Sequence, residues 1–214
     1  MTQRQLVIYG AGGFAREVAW LAQSLDFHVV CFIDDNESRW NSILNNIPVH
    51  GLDEARQRFP DANIIGGIGD PRVREIVMKK ASDAGFRNAS LIHPNVEPSD
   101  TVEIGEGAVI CAGNILTVNI TLGRHVQINL DCTIGHDVIM EDFSTLAPGV
   151  HISGWVHLGK GTYVGTGAVI VNGTQDNPLV VGDGTVVGAG ACVTKSLPAG
   201  VTAVGVPARP LKKG

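Results

Sequence analysis

The chain has 214 residues, 27 of them glycine and only 3 Trp, 2 Tyr and 6 Phe; 16 Lys+Arg against 21 Asp+Glu give a net charge of −5. An apolar content of 44% excludes global disorder, the absence of a G-X-Y period excludes collagen, and no apolar run is long enough to cross a bilayer. Mild acidity without basic clusters argues against nucleic acid as a partner, and four cysteines without a C-x-x-C pair, behind a start that lacks a signal-peptide pattern, read as a cytoplasmic protein with no disulfide framework.

Residues 1–90 hold 8 glycines, 7 valines and 21 charged residues, and residues 91–214 hold 19, 19 and 16. That shift predicts two domains, 1–90 and 91–214. Leu6-Val7-Ile8-Tyr9 reads as a strand, Gly10 to Ala15 as a glycine turn, and Val18, Leu21, Ala22 and Leu25 recur at helical spacing. Val29 to Ile33 is a second strand, ended by Asp34-Asp35-Asn36. Ile64-Ile65 before Gly66-Gly67-Ile68-Gly69-Asp70 is a third, Arg72 to Ala84 its helix, and Leu91-Ile92 a fourth strand. Alternating strands and helices predict a small parallel α/β sheet, half the size of a dinucleotide fold.

Gly10-x-Gly12-x-x-Ala15 fits the dinucleotide fingerprint, and Asp34 stands about twenty residues on, where a ribose-binding acid belongs. Glycines let the backbone approach a phosphate, and the following helix N-terminus supplies free N–H groups. A nicotinamide cofactor fits the fingerprint, but a nucleotide-linked substrate fits the half-size sheet better.

The second part has a period of six. Ile104, Ile110, Leu116, Leu122, Ile128, Ile134, Met140, Leu146, Ile152, Leu158, Val164 and Ile170 are aliphatic residues six apart; after a slip the spacing resumes at Val181, Val187 and Val193. Four residues on stand small or β-branched residues, among them Ala108, Val126, Cys132, Val138, Ser144, Val150, Val156, Thr162 and Ala168. Three such hexads make one triangular coil of a solenoid, with the aliphatic residue inside, the small one beside it and glycine at the corners. Asn172 to Pro178 is a loop at one corner.

The seven histidines are His28, His50, His93, His125, His136, His151 and His157. Their pattern does not select one. His136 stands out because Gly135 opens a corner before it and Asp137 follows; an acid beside an accessible imidazole can orient it as a general base, although a histidine on a solenoid turn is more often a plain surface residue. No set of histidines, acids and thiols shares metal-ligand spacing, so no metal is expected.

The hexads resemble those of the hexapeptide-repeat acyltransferases, whose coils form a left-handed parallel β-helix, and Val204-Gly205-Val206-Pro207-Ala208-Arg209 is typical of that superfamily. Together with Gly10-x-Gly12-Gly13 and Phe32-Ile33-Asp34-Asp35-Asn36, nearly the whole chain is similar to the bacterial nucleotide-aminosugar N-acetyltransferases and the related sialic acid O-acetyltransferases. The resemblance implies that His136, in Gly135-His136-Asp137-Val138-Ile139-Met140-Glu141-Asp142-Phe143, is the general base, Asp137 its acid partner, and Asn129 a neighbour of the acceptor amine. Thr145 stands where a relative has a second histidine on coenzyme A; His151 and His157 lie on nearby coils. Gly165, Thr166, Gly188 and Ala189 match positions lining the pantetheine slot, and also read as coil corners. Gly12, Gly13 and Phe14 match the phosphate cradle, with Phe14 in place of a frequent histidine; Asp34 and Asp35 match the pair that recognises base and ribose, and Gly69 the second loop. A homotrimer with active sites between subunits is implied.

The first reading is therefore acetyl-CoA-dependent N-acetylation of a nucleotide-linked amino sugar, a 4-amino sugar foremost, by direct attack on the thioester. The nucleotide would be held by the first domain and the chemistry done on the solenoid. The second is O-acetylation of a sialic acid or similar sugar. The third is a nicotinamide-binding protein with a structural solenoid, disfavoured because residues 1–90 contain no second catalytic constellation.

Overall fold

In the computed structural model, which describes residues 4–96 and 98–211, the chain divides into two compact units, Met1–His93 and Pro94–Gly214. Among the described residues no helix is long and apolar enough to cross a membrane.

The first unit runs β1 (Arg4–Tyr9), α1 (Gly13–Gln23), β2 (Phe27–Ile33), β3 (Ile43–Leu44), β4 (Ile47–His50), α2 (Leu52–Arg58), β5 (Asn63–Gly66), α3 (Pro71–Asp83) and β6 (Arg87–Asn88). The sheet order is β3-β4-β2-β1-β5-β6, parallel throughout except for the β3–β4 pair. Leu6, Val7 and Ile8 on the central strand are fully buried, as a strand covered on both faces requires. α1 turns Ala15, Val18, Leu21 and Ala22 inward, the helical spacing read from the sequence. The structure corrects the strand count: β3, β4 and β6 are too short to carry a periodic signal, and Leu91–Ile92, though a strand, lies outside this sheet, whose edge is β6.

The second unit is a left-handed parallel β-helix of two- and three-residue strands stacked in three faces. Hexad residues align eighteen apart: Ile110 with Ile128, Ile128 with Leu146, and Leu146 with Val164. From Leu116 to Ile170 none of the hexad aliphatics is more than 4% exposed, and the small residues four positions on are equally buried. After the corner loop the alignment steps to Leu158 with Val181 and Ile170 with Val193, so the extra residues leave the stacking intact. The last parallel strand, Thr202–Val204, lies against Val186–Val187 and receives an antiparallel strand, Arg209–Pro210.

The glycines of the solenoid do two jobs. Those directly after the aliphatic residue are needed for close approach: a Cβ on Gly123 would lie 2.5 Å from the Asp142 backbone nitrogen of the next coil. From Ile104 to Val164 the third residue after the aliphatic instead has a left-handed backbone, whether it is Gly113, Gly149 and Gly167 or Asn119, Asp131, Asp137, His125, Phe143 and Trp155. Asn and Asp tolerate that conformation; rings do not adopt it readily.

These two jobs separate by mutation. Gly123→Ala forces backbones apart and is expected to cost about 3 kcal/mol. Gly167→Ala, with φ +67 but no atom within 4 Å of its added Cβ, is expected to cost only about 1 kcal/mol. Urea unfolding of both variants checks the ordering.

Candidate functional site

Two places in the molecule gather the residues singled out above. The first is at the carboxyl end of the parallel sheet. β1 is flanked by β2 on one side and β5 on the other, so the turns after β1 and β5 diverge and leave a crevice. A cavity of about 380 Å3 fills it, lined by Tyr9, Gly12, Gly13 and Phe14 from the first turn, Asp34 and Asp35 after β2, and Gly69 after β5. All six residues expected to hold a nucleotide in this half thus line one cavity. Gly10 is required by the fold, since its φ is +121 and a Cβ would sit 2.9 Å from the Gly67 carbonyl; Gly12 and Gly69 have open space around them. Gly12 is the N-cap of helix α1, with no side-chain cap hydrogen bond and no acid in the first turn, an end suited to meet an anion.

The walls of the cavity carry a charge network that sequence patterns did not reveal. Asp34 accepts from the Arg39 guanidinium at 2.9 Å, and Arg39 also donates to the Ala11 carbonyl at 2.7 Å. Asp35 accepts from the Tyr9 hydroxyl at 2.6 Å and from Lys80 Nζ at 2.6 Å. Partial burial disfavours the Asp35 charge, but the hydrogen bonds from Lys80 and Tyr9 and the ammonium charge outweigh it, holding the carboxyl below its ordinary value. Burial, then the Asp35 hydrogen bond and charge, push the Tyr9 phenol up, so it stays a donor. The second loop is fixed from beneath by Arg74, which is 1% exposed and donates to the carbonyls of Ile68 at 2.8 Å and Gly69 at 3.2 Å. Burial pulls this guanidinium down to about 9, still charged at neutral pH. Asp70 is the N-cap of α3, accepting from Arg72 N and Val73 N. A second cavity of about 520 Å3 shares Tyr9, Asp34 and Asp35 and adds Trp40, Asp53 and Lys80.

The other place is the solenoid. His136 and Asp137 stand on the edge between the strands Thr133–Ile134 and Ile139–Met140. His136 Nδ1 is 2.8 Å from Asp137 Oδ2, and Asn119 Nδ2 is 3.2 Å from Asp137 Oδ1. A carboxylate only accepts, so the imidazole donates from Nδ1, and in the neutral ring this tautomer leaves the lone pair on Nε2. The His136 side chain is 53% exposed. The next coil supplies its floor and wall: a Cβ on Gly154 would sit 2.5 Å from Nε2, and the Trp155 ring meets the imidazole edge to face, centroids 6.2 Å apart. Asn119, Gly154 and Trp155 were missed in the sequence, although each stands eighteen residues from Asp137 or His136, the length of one coil.

The remaining expected residues lie elsewhere in the solenoid. Asn129, Gly165, Thr166, Gly188 and Ala189 share the edge between Gln127–Ile128 and Thr133–Ile134 and its continuation along the stack, so they form one column. The Asn129 amide donates to the Leu146 carbonyl at 2.8 Å, and Gly190 N donates to the Thr166 carbonyl at 2.8 Å. Thr145 is on the face opposite the His136 edge and is fully buried, beside buried Gln127 and Val109. It offers no surface to a coenzyme, which corrects the expected contact of its hydroxyl. His151 is beside Thr133 Oγ1 at 2.9 Å, and His157 pairs with Glu141 at 3.0 Å, each on a face next to the His136 edge. One chain therefore places the imidazole and the glycine column on different edges.

Residues 5–81 match the PglD N-terminal domain family. The sequence is 32% identical to GDP-perosamine N-acetyltransferase of Escherichia coli O157:H7, over 96% of this chain and 96% of that protein. The chain belongs to the nucleotide-aminosugar N-acetyltransferase family. Solved structures of the family agree in fold. WeeI from Acinetobacter baumannii AYE has a TM-score of 0.88 at 37% identity, covering 97% of this chain and 100% of that one. A histidine-to-asparagine mutant of perosamine N-acetyltransferase from Caulobacter crescentus, in complex with CoA and GDP-perosamine, has a TM-score of 0.89 at 29% identity, covering 98% and 97%. The acetyltransferase domain of PglB from Neisseria gonorrhoeae FA1090, in complex with acetyl coenzyme A, has a TM-score of 0.79 at 32% identity, covering 98% and 100%.

The charge network of the first cavity has a measurable signature. A carboxyl whose value is lowered on folding contributes stability above its unfolded value, about 3.9 for Asp. That contribution is lost as pH falls through the lowered value. In Lys80→Met the Asp35 carboxyl is expected to titrate at higher pH than in the unmodified protein, followed by its carboxyl carbon in NMR.

Proposed function

We propose that this protein transfers the acetyl group of acetyl-CoA to the amino group of a nucleotide-linked amino sugar, a 4-amino sugar foremost. One observation carries the reading: a half-exposed imidazole whose Nδ1 is held at 2.8 Å by a carboxylate, on the solenoid of a chain 32% identical along its length to GDP-perosamine N-acetyltransferase.

The nucleotide is taken by the first cavity. The α1 N-terminus faces the diphosphate over Gly12, Gly13 and Phe14, and Asp34 and Asp35 are acceptors for hydroxyl and base N–H donors. On the solenoid, His136 Nε2 takes a proton from the sugar amine as its nitrogen attacks the thioester carbon. The C–S bond then breaks, and the coenzyme A sulfur leaves with the proton returned by the imidazolium. Asp137 holds the ring and stabilises its charged form while the proton is there. A backbone N–H stabilises the oxygen of the tetrahedral intermediate. Direct attack on the thioester includes no acyl-enzyme; burial pushes the thiols of Cys31 and Cys132 up to about 12 and about 11, which disfavours the thiolate at both.

The working form is a homotrimer with active sites between subunits. Supporting this, His136 and the column of Asn129, Gly165 and Gly188 lie on different edges of one solenoid, so one chain's base meets another chain's pantetheine slot. Around the His136 edge, Val118, Ile115, Val169 and Ile139 turn outward and exposed, apolar surface that a second copy would cover.

His136→Ala is expected to lower kcat by roughly two to four orders of magnitude with the fold intact, and Asp137→Asn by less. Thiol release from acetyl-CoA is measured against nucleotide 3-amino and 4-amino sugars and free sialic acid. Turnover of sialic acid alone would reverse the choice of acceptor. Co-expression of His136→Ala with Gly188→Trp is expected to restore part of the activity that each lacks alone, because mixed trimers rebuild one intact site. No recovery would place the whole site in a single chain.

A further inference from the structure

We infer that Trp155 is the specificity wall of the acceptor site, stacking its indole on the C–H face of the amino sugar's pyranose ring. The inference rests on the reading of His136 as the base.

The backbone carries the first part of the argument. Trp155 occupies the left-handed corner position of its hexad, with φ 58, where Gly149, Gly161 and Gly167 stand on neighbouring corners. A tryptophan disfavours that conformation, and strain of this kind persists where something other than local backbone preference requires the residue. Two other rings share the conformation, His125 and Phe143, and they stack on each other at 4.8 Å with an interplanar angle of 16°. Their mutual packing accounts for them. Among the described residues the Trp155 indole stacks face to face on no second ring; it is half-buried and set edge to face against His136.

Position carries the second part. A general base must come within about 3 Å of the amine it deprotonates. The ring bearing that amine is then next to the imidazole, and the indole centroid is 6.2 Å from the imidazole centroid. The indole and imidazole already touch edge to face, so a six-membered ring bonded to the amine lies beside Nε2 and packs against the part of the indole that the imidazole leaves uncovered. The face of an aromatic ring is electron-rich and attracts the weakly positive C–H hydrogens of a sugar. Gly154 lets the imidazole lie directly on the backbone of the next coil, and the neighbouring indole is a large apolar surface beside it.

The test uses the full-length protein and steady-state kinetics with the nucleotide amino sugar that the unmodified enzyme turns over. In Trp155→Gly the KM for that acceptor is expected to rise about tenfold or more, as for other aromatic anchors removed from a binding contact. The KM for acetyl-CoA and the kcat at saturating acceptor stay within about threefold. The Tm is unchanged or higher, because glycine relieves the left-handed strain. Trp155→Phe retains most of the acceptor affinity. An unchanged acceptor KM overturns the inference, and so does a rise confined to the acetyl-CoA KM, which would put the indole on the pantetheine. A loss of kcat alone also overturns it, since the indole would then only position His136. A lower Tm with both KM values raised marks a structural role. If the unmodified protein turns over no nucleotide amino sugar, the functional reading itself fails, before any variant is compared.

Discussion

The backbone ladder between successive coils is the constraint from which the solenoid follows. Glu103 N donates to Ile120 O at 2.9 Å, Gly105 N to Leu122 O at 2.8 Å, and the same bonds repeat up the stack. Adjacent strands in such a ladder are about 4.8 Å apart. At that spacing every side chain has a neighbour of the same register directly above and below. The hexad aliphatics stack on one another inside, and at the corners glycine or a left-handed turn lets the chain bend without striking the coil above. The few aromatic residues of the chain follow from this geometry.

The same ladder turns sequence spacing into chemistry. Asn119, Asp137 and Trp155 are far apart in sequence but form one column, and the hydrogen bond from Asn119 to Asp137 crosses from one coil to the next. The orientation of His136 is thus set by its neighbour Asp137 together with residues one coil away, Asn119 on that carboxylate and Gly154 and Trp155 against the ring. The α/β unit works differently. Two carboxylates beside the glycine turn would repel an anion, and Arg39 and Lys80 offset that charge at 2.9 and 2.6 Å. Both pairs are partly solvated, so their role is to shape the local field; their contribution to stability is small.

The legible part of the sequence was the part with a strict period. Hexads from Ile104 to Ile170 placed the core, the corners and the loop before Leu179, and the glycine turn with Asp34 and Asp35 placed the first cavity. Asn119 and Trp155 were legible in principle, since adding or subtracting one coil from Asp137 finds both. Arg39, Tyr9 and Lys80 were not. Lys80 reaches Asp35 from 45 residues away on a helix face that looks like any solvated one. Thr145 misled because alternation places it outward, and outward usually means exposed; here it is buried with Val109 and Gln127 of its column, which reaches solvent only from Tyr163 onward. The short strands β3, β4 and β6 are set by tertiary pairing, with too few residues to announce themselves.

The antiparallel strand Arg209–Pro210 has a consequence for solubility. A stack of parallel coils ends in open rows of amides and carbonyls, the template on which further coils, or other molecules, add without limit. On one face, Arg209–Pro210 reverses direction against Thr202–Val204 and presents a proline, which has no amide hydrogen to offer. Growth in register requires a parallel neighbour with a full set of donors, and this strand supplies neither. It terminates a structure whose own repeat contains no instruction to stop.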